Sequence, residues 1–441
     1  MTFTELLPLW MFVVFTGLIL VGYPIAFTIA GTALFFGVYA FGLGFFDLLP
    51  LRVWGVMTNF TLTAVPLFVF MGVTLERSGL AEDLLETMGF VFGRVPGGIA
   101  IAVVVVGTLL AASTGIVGAT VTTMGLIALP TMIRRGYKNE VATGVICASG
   151  TLGQIIPPSI VLVIVADILQ VSVGDLFLGA FIPGLLLAGL YVLYVGVISL
   201  LAPHLAPPIP AAERAALPAR ELRRRVVRGL IPPLALMAAV LGSIFFGIAS
   251  PTEAAAVGAT GALVLTVTNR KFTRTMLNQT MQVTGRLTSM VFIILVGASA
   301  FGLAFRGMGG DTLIRNFISH MEMPPNVVFA SVMTLVFVLG FFLDFIEISF
   351  IHLPILAPIL TEMGFDPVWY GVVLGVNLQT SFLTPPFGYA LFYLRGVAPP
   401  EVTTGQIYRG IMPFVVIQLI GMMAVIFFPQ LALWLPRLVF G

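Results

Sequence analysis

The strongest constraint on this chain is a series of apolar runs long enough to cross a lipid bilayer. Of its 441 residues, 59% are hydrophobic and 9% are charged, and the mean hydropathy is +1.10. About 20 apolar residues cross the hydrocarbon core as a helix. Unbroken runs of about this length cover approximately 5–22, 24–46, 60–76, 176–201, 230–249, 252–269, 287–306 and 410–435. We therefore predict an all-α polytopic membrane protein.

Other apolar runs are interrupted in the middle by Gly, Pro, Ser, Thr or Asp; they cover about 97–133, 140–170, 327–361 and 369–397. Non-helical backbone survives at membrane depth only where protein or a watery cavity satisfies its polar groups. These runs are therefore expected to line a cavity.

Basic residues in short loops set the expected orientation. Arg94 precedes the first interrupted run and Arg134 follows it, so 97–133 is predicted to be a re-entrant hairpin that enters from the cytoplasm. Continuing the count makes 327–361 a hairpin that enters from outside, with 140–170 and 369–397 as broken crossings. The scheme has about ten crossings and two hairpins, and it places Arg306 at the outer surface.

The chain also repeats itself at long range. Pro130, Gly136, Pro157 and Pro158 recur at one spacing of 228 as Pro358, Gly364, Pro385 and Pro386, and Pro24 and Gly31 recur at 227 as Pro251 and Gly258. In the predicted orientation the first copy starts outside and the second starts inside, so the two copies are inverted relative to each other. We expect a first inverted repeat at 1–202, a cytoplasmic linker at 203–229 and a second inverted repeat at 230–441. Inverted repeats with hairpins and broken helices indicate a secondary transporter with its site near the bilayer midplane.

Several other classes of protein are disfavoured. A formal net charge of +2 is too small to indicate a surface that binds nucleic acid. The single Cys147 excludes an intramolecular disulfide and a CxxC metal site, and three scattered histidines do not form a metalloenzyme motif. A membrane-embedded enzyme is a weak alternative because no catalytic constellation has workable spacing, and a channel would not need two inverted broken sites. No cofactor is expected apart from Na⁺ as the coupling ion.

The Pro-Pro motifs are the strongest candidate sites. Consecutive prolines withhold N–H donors, which frees carbonyls that can hold sodium, and the half-helix after them attracts a carboxylate. The first sodium site is predicted at Ser113 and Thr114 of the inner hairpin tip with the backbone around Gly150, Gly153 and Pro157. The second mirrors it, with Gly340 and Asp344 of the outer tip and Asn377, Thr380, Thr384 and Pro385. The residues predicted to bind the substrate are Ser113, Gly115, Pro158, Ser159, Ser381, Pro386 and Gly388.

Structural explanations compete with these assignments. Pro-Pro can be a packed kink, and the small residues of the inner tip can serve helix packing. Glu347, near Asp344, is expected to bind an ion, pair with a basic side chain or be protonated. Ser250 and Glu253 fit a capping box, His352 fits a packed neutral core histidine, and 77–94 fits an amphipathic helix at the cytoplasmic interface or else a solvated loop.

The blocks GTLGQIIPPSI, STGIVGAT followed by LPTMIRRGY, SPTEAAAVGA and LTPPFGYALF together resemble the large membrane (M) subunit of tripartite ATP-independent periplasmic (TRAP) transporters, within the ion transporter superfamily. The resemblance covers essentially the whole chain. Many relatives have Ser-Gly-Ser where this tip reads Ser113-Thr114-Gly115. The resemblance implies a sodium-driven, elevator-type importer of organic acids in the bacterial inner membrane. Its implied partners are a periplasmic substrate-binding protein (P) and a small four-helix membrane (Q) subunit, expected to be a separate chain. A self-sufficient sodium/carboxylate symporter of the same superfamily is the alternative.

Overall fold

The structure, a computed structural model, describes residues 6–216, 218–320 and 323–441. Some side chains within these ranges are outside the description; they are Ala81, Ser113, Thr114, Ala212, Ala215, Ala216, Ile318 and Ser319. Every regular element in the described ranges is a helix. The predicted all-α class is therefore confirmed.

The helices before the linker are α1 Leu7–Leu20, α2 Ile25–Phe41, α3 Phe45–Met57, α4 Ala64–Arg77, α5 Leu80–Phe92, α6 Gly98–Thr114, α7 Val117–Arg134, α8 Asn139–Thr151, α9 Ile160–Leu169 and α10 Val173–Leu201. The turn Gly115-Ile116 joins α6 to α7, which pack together as a helical hairpin. Its two bases are held together, since the Ile99 N–H donates to the Tyr137 hydroxyl at 3.2 Å. The break between α8 and α9 includes a 3₁₀ turn at Leu152–Gln154.

The linker carries α11 Ala211–Ala216 and α12 Ala219–Gly229. The remaining helices are α13 Ile231–Phe245, α14 Pro251–Thr268, α15 Arg274–Gly307, α16 Gly310–His320, α17 Pro325–Leu339, α18 Phe345–Glu347, α19 Leu353–Glu362, α20 Pro367–Leu383, α21 Tyr389–Val397, α22 Thr404–Phe427 and α23 Gln430–Phe440. A π-helical turn at Ile348–His352 joins α18 to α19. A hairpin followed by a broken helix thus occurs once on each side of the linker; the inverted arrangement of the two parts stays a prediction.

Several helical segments are suited to crossing a membrane. Within the described ranges, seven are long and apolar enough, and the pair Thr61–Arg77 and Glu82–Phe92, bent by 65°, makes an eighth if it is counted as one span. The polytopic prediction is therefore confirmed. The count of ten crossings stays a prediction, because hairpin arms and half-helices such as Ile160–Leu169 are shorter than a full span.

Some predicted boundaries are wrong. The predicted runs 24–46 and 60–76 leave 46–60 uncovered, but α3 occupies most of it, since Gly42–Gly44 forms only a 3₁₀ turn and the chain resumes as helix. The predicted single run 410–435 is divided near Pro429 into α22 and α23. Helix α16 lies between the predicted runs 287–306 and 327–361. Hydropathy locates long apolar runs in the sequence. It does not predict where a helix continues through residues of mixed polarity.

Helices from the two sides of the linker pack against each other in two pairs. Helix α2 packs on α15, and α14 packs on α4. Glycines permit the close approach: a Cβ added to Gly297 would lie 2.6 Å from Ile29, and one added to Gly258 would lie 2.6 Å from Met71. Because α2 and α14 begin at the repeated Pro24 and Pro251, the two contacts occupy corresponding positions. We call α2, α4, α14 and α15 the frame.

Two local predictions are confirmed. Ser250 caps α14, with its hydroxyl accepting from the Glu253 N–H and the Glu253 carboxylate accepting from the Ser250 N–H, so the capping box is present. Helix α5 is amphipathic, with Leu84 and Leu85 buried and Glu82 and Glu86 exposed. A helix is thus favoured over a loop for 77–94.

Candidate functional site

The first hairpin packs directly on the first Pro-Pro break. Gly153 in the 3₁₀ turn lies so close to the end of α6 that an added Cβ would overlap the Ala111 carbonyl. At the tip, Gly115 has φ of +63°, a conformation that favours glycine, and an added Cβ would lie 3.2 Å from the Ile160 nitrogen. Gly150 lies against Val121 of α7. The inner tip therefore meets the N-terminus of the half-helix α9, as its predicted role requires.

The first break is closed off from solvent. Every residue from 142 to 166 is buried. Ser159 is the N-cap of α9: its hydroxyl donates to the Gln154 carbonyl at 2.7 Å and accepts from the Leu162 N–H at 3.4 Å. The peptide bond between Pro157 and Pro158 is cis. The predicted substrate ligand Ser159 thus connects the 3₁₀ turn to the half-helix α9.

The second hairpin meets the second break in a related way. At Gly340, where α17 ends, an added Cβ would overlap the Ser381 hydroxyl. The Asn377 amide donates to the Met333 carbonyl of α17 at 2.7 Å. At the tip, the rings of Phe342 and Phe387 are 4.8 Å apart. Hairpin and broken helix are therefore in contact on both sides of the linker.

The second break is more open than the first. Residues 369–383 are buried, but Pro386 and Phe387 are exposed. The peptide bond between Pro385 and Pro386 is cis, and Gly388, the N-cap of α21, has φ of +43°. The Pro386 carbonyl accepts from the Tyr408 hydroxyl of α22 at 2.6 Å. This break is the more accessible of the two.

The hydroxyls predicted at the second break are engaged with their own helix. Thr380 donates to the Val376 carbonyl at 2.7 Å, Thr384 to the Thr380 carbonyl at 2.8 Å, and Ser381 to the Leu378 carbonyl at 2.8 Å. Each hydroxyl oxygen keeps lone-pair capacity as an acceptor. The geometry therefore leaves them able to face a cation.

Asp344 and Glu347 form a capping box at the second tip. The Asp344 carboxylate accepts from the Phe345 N–H at 2.7 Å, and the Glu347 carboxylate accepts from the Asp344 N–H at 3.0 Å. Glu347 is 7% exposed. Neither carboxylate forms a salt bridge with a basic side chain in the ranges that the structure covers. A structural role for Asp344 therefore accompanies the predicted ionic one, and pairing of Glu347 with a basic side chain is not found.

The structure thus places Gly115, Gly150, Gly153, Pro157, Pro158 and Ser159 at the first break, and Gly340, Asn377, Thr380, Ser381, Thr384, Pro385, Pro386 and Gly388 at or beside the second. Asp344 lies on the second hairpin tip, where its hydrogen bonds with Phe345 and Glu347 are local. The hydroxyls of Ser113 and Thr114 lie outside the described side chains. His352 is buried with its ring centroid 5.7 Å from that of Phe12, as expected for a core histidine. Sodium and substrate binding at these residues stay predictions.

Sequence reasoning missed two buried glutamines. The Gln379 amide donates to the Thr151 hydroxyl at 3.3 Å, and the Gln154 side chain is fully buried with no hydrogen-bond partner among the described atoms. Both lie inside the repeated blocks. An uncharged amide in an apolar run is itself a signal, because a buried polar group without partners is costly.

The fold defines a class of protein. It is similar to the solved structure of the YdaH transporter from Alcanivorax borkumensis, with a TM-score of 0.63 at 14% identity over 98% of each chain. Together with the spanning helices, this gives the class of a multi-pass membrane protein with a transporter fold.

Sequence comparison gives the family. The family model for the tripartite ATP-independent periplasmic transporter, DctM component, matches residues 12–431. The C4-dicarboxylate TRAP transporter large permease protein DctM of Pseudomonas aeruginosa is 31% identical over 88% of this chain and 89% of that protein. The ectoine/5-hydroxyectoine TRAP transporter large permease protein UehC of Ruegeria pomeroyi is 31% identical over 86% and 87%. The chain belongs to the DctM family of TRAP transporter large permeases, and it is a multi-pass protein of the bacterial inner membrane with a role in transport rather than catalysis.

Proposed function

We propose that this chain imports organic acids as carboxylates, coupled to sodium, after delivery by a periplasmic binding protein and together with a small four-helix membrane subunit. The observation that carries the proposal is the packing of each hairpin tip on a Pro-Pro break, at Gly153 and at Gly340. Two such contacts would provide two places for hard oxygen ligands, and we place the substrate between them.

Charge supports sodium at the second break. Asp344 and Glu347 are close together in an apolar segment, and no basic side chain in the described ranges neutralises them. Burying carboxylates costs several kcal/mol unless a cation or a proton compensates. Sodium beside Asp344, with oxygens from Thr380 and Thr384, would supply that compensation.

The first sodium site is proposed to use neutral oxygens. The backbone around Gly153 and Pro157 offers carbonyls, and the hydroxyls of Ser113 and Thr114 at the facing tip would complete the set. Replacing Ser113 by Ala should reduce the apparent sodium affinity in uptake assays, while the matched change Ser331→Ala on the exposed face of α17 should not.

Half-helix ends support a carboxylate as the common substrate group. Helices α9 and α21 begin at Ile160 and Tyr389, directly after the breaks, and helix N-termini attract anions. The similar permeases have names that specify C4-dicarboxylate and ectoine. We therefore commit to the class of organic acids and to no single member.

An elevator movement would carry the cargo across. The hairpins and broken helices would move as one transport unit against the frame, with α5 bracing the frame at the cytoplasmic surface. Two sodium ions would mask the substrate charge, because an unmasked charge at the bilayer centre costs from about 3 to more than 10 kcal/mol.

Reconstituted uptake tests the proposal. The permease with its small subunit is placed in liposomes, and radiolabelled organic acids are supplied with the cognate binding protein under an inward sodium gradient. Uptake that needs both the gradient and the binding protein is expected. Uptake without the binding protein would instead favour a self-sufficient sodium/carboxylate symporter, and uptake without sodium would overturn the coupling.

A further inference from the structure

A cavity of about 550 Å³ lies away from both Pro-Pro breaks. Its walls come from α3, from the C-terminal half of α15, from the end of α9 and from the π-helical turn with the start of α19. The frame helix α15 and helix α3 thus line one wall, and residues of the proposed transport unit line the other. Its polar lining consists of Arg52, Asn59, Asp167, Gln170, Ser299 and Arg306.

The charged lining is net positive. Asp167 is the acidic side chain among the lining residues, and its carboxylate accepts from the Asn59 amide at 2.8 Å. The Arg306 Nε donates to the Gly302 carbonyl at 3.3 Å, while Arg306 makes no ion pair in the described ranges. Arg52 likewise has no carboxylate partner in the part of the chain that the structure covers. The lining therefore carries two guanidinium groups against one carboxylate.

The cavity belongs to the predicted outer end of the molecule. The broken helix 140–170 is predicted to run outward, and Arg306 is predicted at the outer surface. The structure brings Asp167, Gln170 and Arg306 around the same cavity, so two independent parts of the predicted topology agree on its side.

We propose that this cavity is an anion-binding vestibule in which Arg52 and Arg306 hold the carboxylate of an organic acid before it reaches the site between the breaks. The inference rests on the proposed function, because it adds an outer binding step to the same route. Guanidinium groups suit carboxylates, since they offer several donors in a planar fork. Asp167, already engaged by Asn59, lowers the net charge of the lining without cancelling it.

The test measures charge selectivity in the vestibule without measuring transport. Ser299, which lines the cavity from α15, is replaced by Cys after the buried Cys147 is replaced by Ala. The purified permease with its small subunit is placed in nanodiscs of neutral phosphatidylcholine. Rates of modification are then compared for an anionic and a cationic methanethiosulfonate reagent of similar size, with and without succinate.

We expect the anionic reagent to be favoured at Ser299→Cys, and succinate to slow its reaction. Changing both Arg52 and Arg306 to Gln should reduce the preference on the order of fivefold or more and remove the protection, whereas changing both to Lys should keep the preference. The control Thr312→Cys, exposed on α16 and outside the cavity lining, should show no protection by succinate. Equal rates for the two reagents at Ser299→Cys, or protection that survives the double Gln change, would overturn the inference.

Two further measurements complete the test. The first distinguishes a lipid headgroup from an organic acid as the bound anion, and the second distinguishes failure of the vestibule from failure of the proposed transport function. Protection by anionic phosphatidylglycerol in the nanodisc, with none by succinate, would assign the cavity to a lipid headgroup and overturn the organic-acid vestibule. If succinate protects but no organic acid is taken up in proteoliposomes, the vestibule stands and the proposed transport function fails. Sodium-driven uptake by the double Gln variant at wild-type rates and wild-type KM would leave the proposed function intact and remove the vestibule from the route.

Discussion

Gln379 and Thr151 are in direct contact, and they are also equivalent in the repeat. The Gln379 Nε2 donates to the Thr151 Oγ1 at 3.3 Å, and the two residues are separated by 228 positions, the spacing that relates Pro157 to Pro385. In the predicted inverted arrangement, two equivalent positions that touch lie beside the axis that relates the copies. The broken helices α8 and α20 therefore meet each other at the centre of the proposed transport unit.

This contact should contribute to stability. Changing Thr151 to Val leaves the buried Gln379 amide without this partner, so it should lower the free energy of unfolding by about 1 to 3 kcal/mol. Changing Gln379 to Met should cost less, because the Thr151 hydroxyl keeps its hydrogen bond to the Ala148 carbonyl at 2.9 Å. The double variant should cost less than the sum of the two, with a coupling of about 1 kcal/mol. Denaturation in mixed micelles measures all four states of the cycle, and Thr334→Val on the exposed face of α17 is the control. Additive effects would show that the contact carries no energy.

The contact between Gly340 and Ser381 should be needed for uptake. Gly340→Ala places a methyl group on the Ser381 hydroxyl, and overpacking of this kind costs typically about 1 to 3 kcal/mol. We expect this variant to lose most sodium-driven uptake. Adding Ser381→Gly removes the obstructing side chain and should restore part of it.

A matched glycine controls for the helix itself. Gly285 on α15 has open space around it, so Gly285→Ala should leave uptake unchanged. If Gly340→Ala transports as well as Gly285→Ala does, uptake does not require close packing of the second hairpin tip on its break.

The breaks could be located from sequence because proline chemistry is local. Pro157 and Pro385 lack the N–H that a helix needs, and the structure places the interruptions at these residues. The capping box at Ser250 was readable for the same reason, since its partners are three residues apart. Features that depend on neighbours in sequence could therefore be predicted.

Features that depend on contacts between residues distant in sequence could not be predicted. Helix α3 lies where a connection was expected, and its Arg52 shares a cavity with Arg306 and Asp167 through packing that no short pattern encodes. The capping role of Asp344 was hidden because a buried acid reads first as an ion ligand. The spacing of 228 also relates Thr151 to Gln379, but it marks them only as equivalent positions and does not show that they touch.

Asp344→Asn should separate the ionic role of this residue from its structural one. Asparagine caps helices about as well as aspartate, and its carbonyl oxygen can accept from the Phe345 N–H as the carboxylate does. The variant should therefore remain folded, with an unfolding midpoint close to that of wild type, while sodium-coupled uptake is abolished.

Two further variants test whether the ionic role of Asp344 is separate from its capping role. Asp344→Ala removes both the charge and the cap, so it should lose stability as well, by about 0.5 to 2 kcal/mol. Glu401→Gln removes an exposed acid elsewhere and should change neither property. Normal sodium activation of uptake in Asp344→Asn would show that the cation does not depend on this carboxylate.

A short covalent cross-link between the frame and a hairpin should stop transport if the transport unit slides. The Thr123 hydroxyl of α7 donates to the Glu76 carboxylate of α4 at 2.5 Å, so cysteines at these two positions, with Cys147 replaced by Ala, are close enough for a short bis-maleimide. The matched control joins Arg77 of α4 to Gln279 of α15, whose side chains are 2.8 Å apart within the frame. Cross-linking should abolish sodium-driven uptake by the first pair and spare the second, with the extent of cross-linking measured by mass spectrometry of proteolytic fragments. Full uptake by a completely cross-linked Thr123–Glu76 pair would reject a sliding hairpin and leave only local movement at its tip.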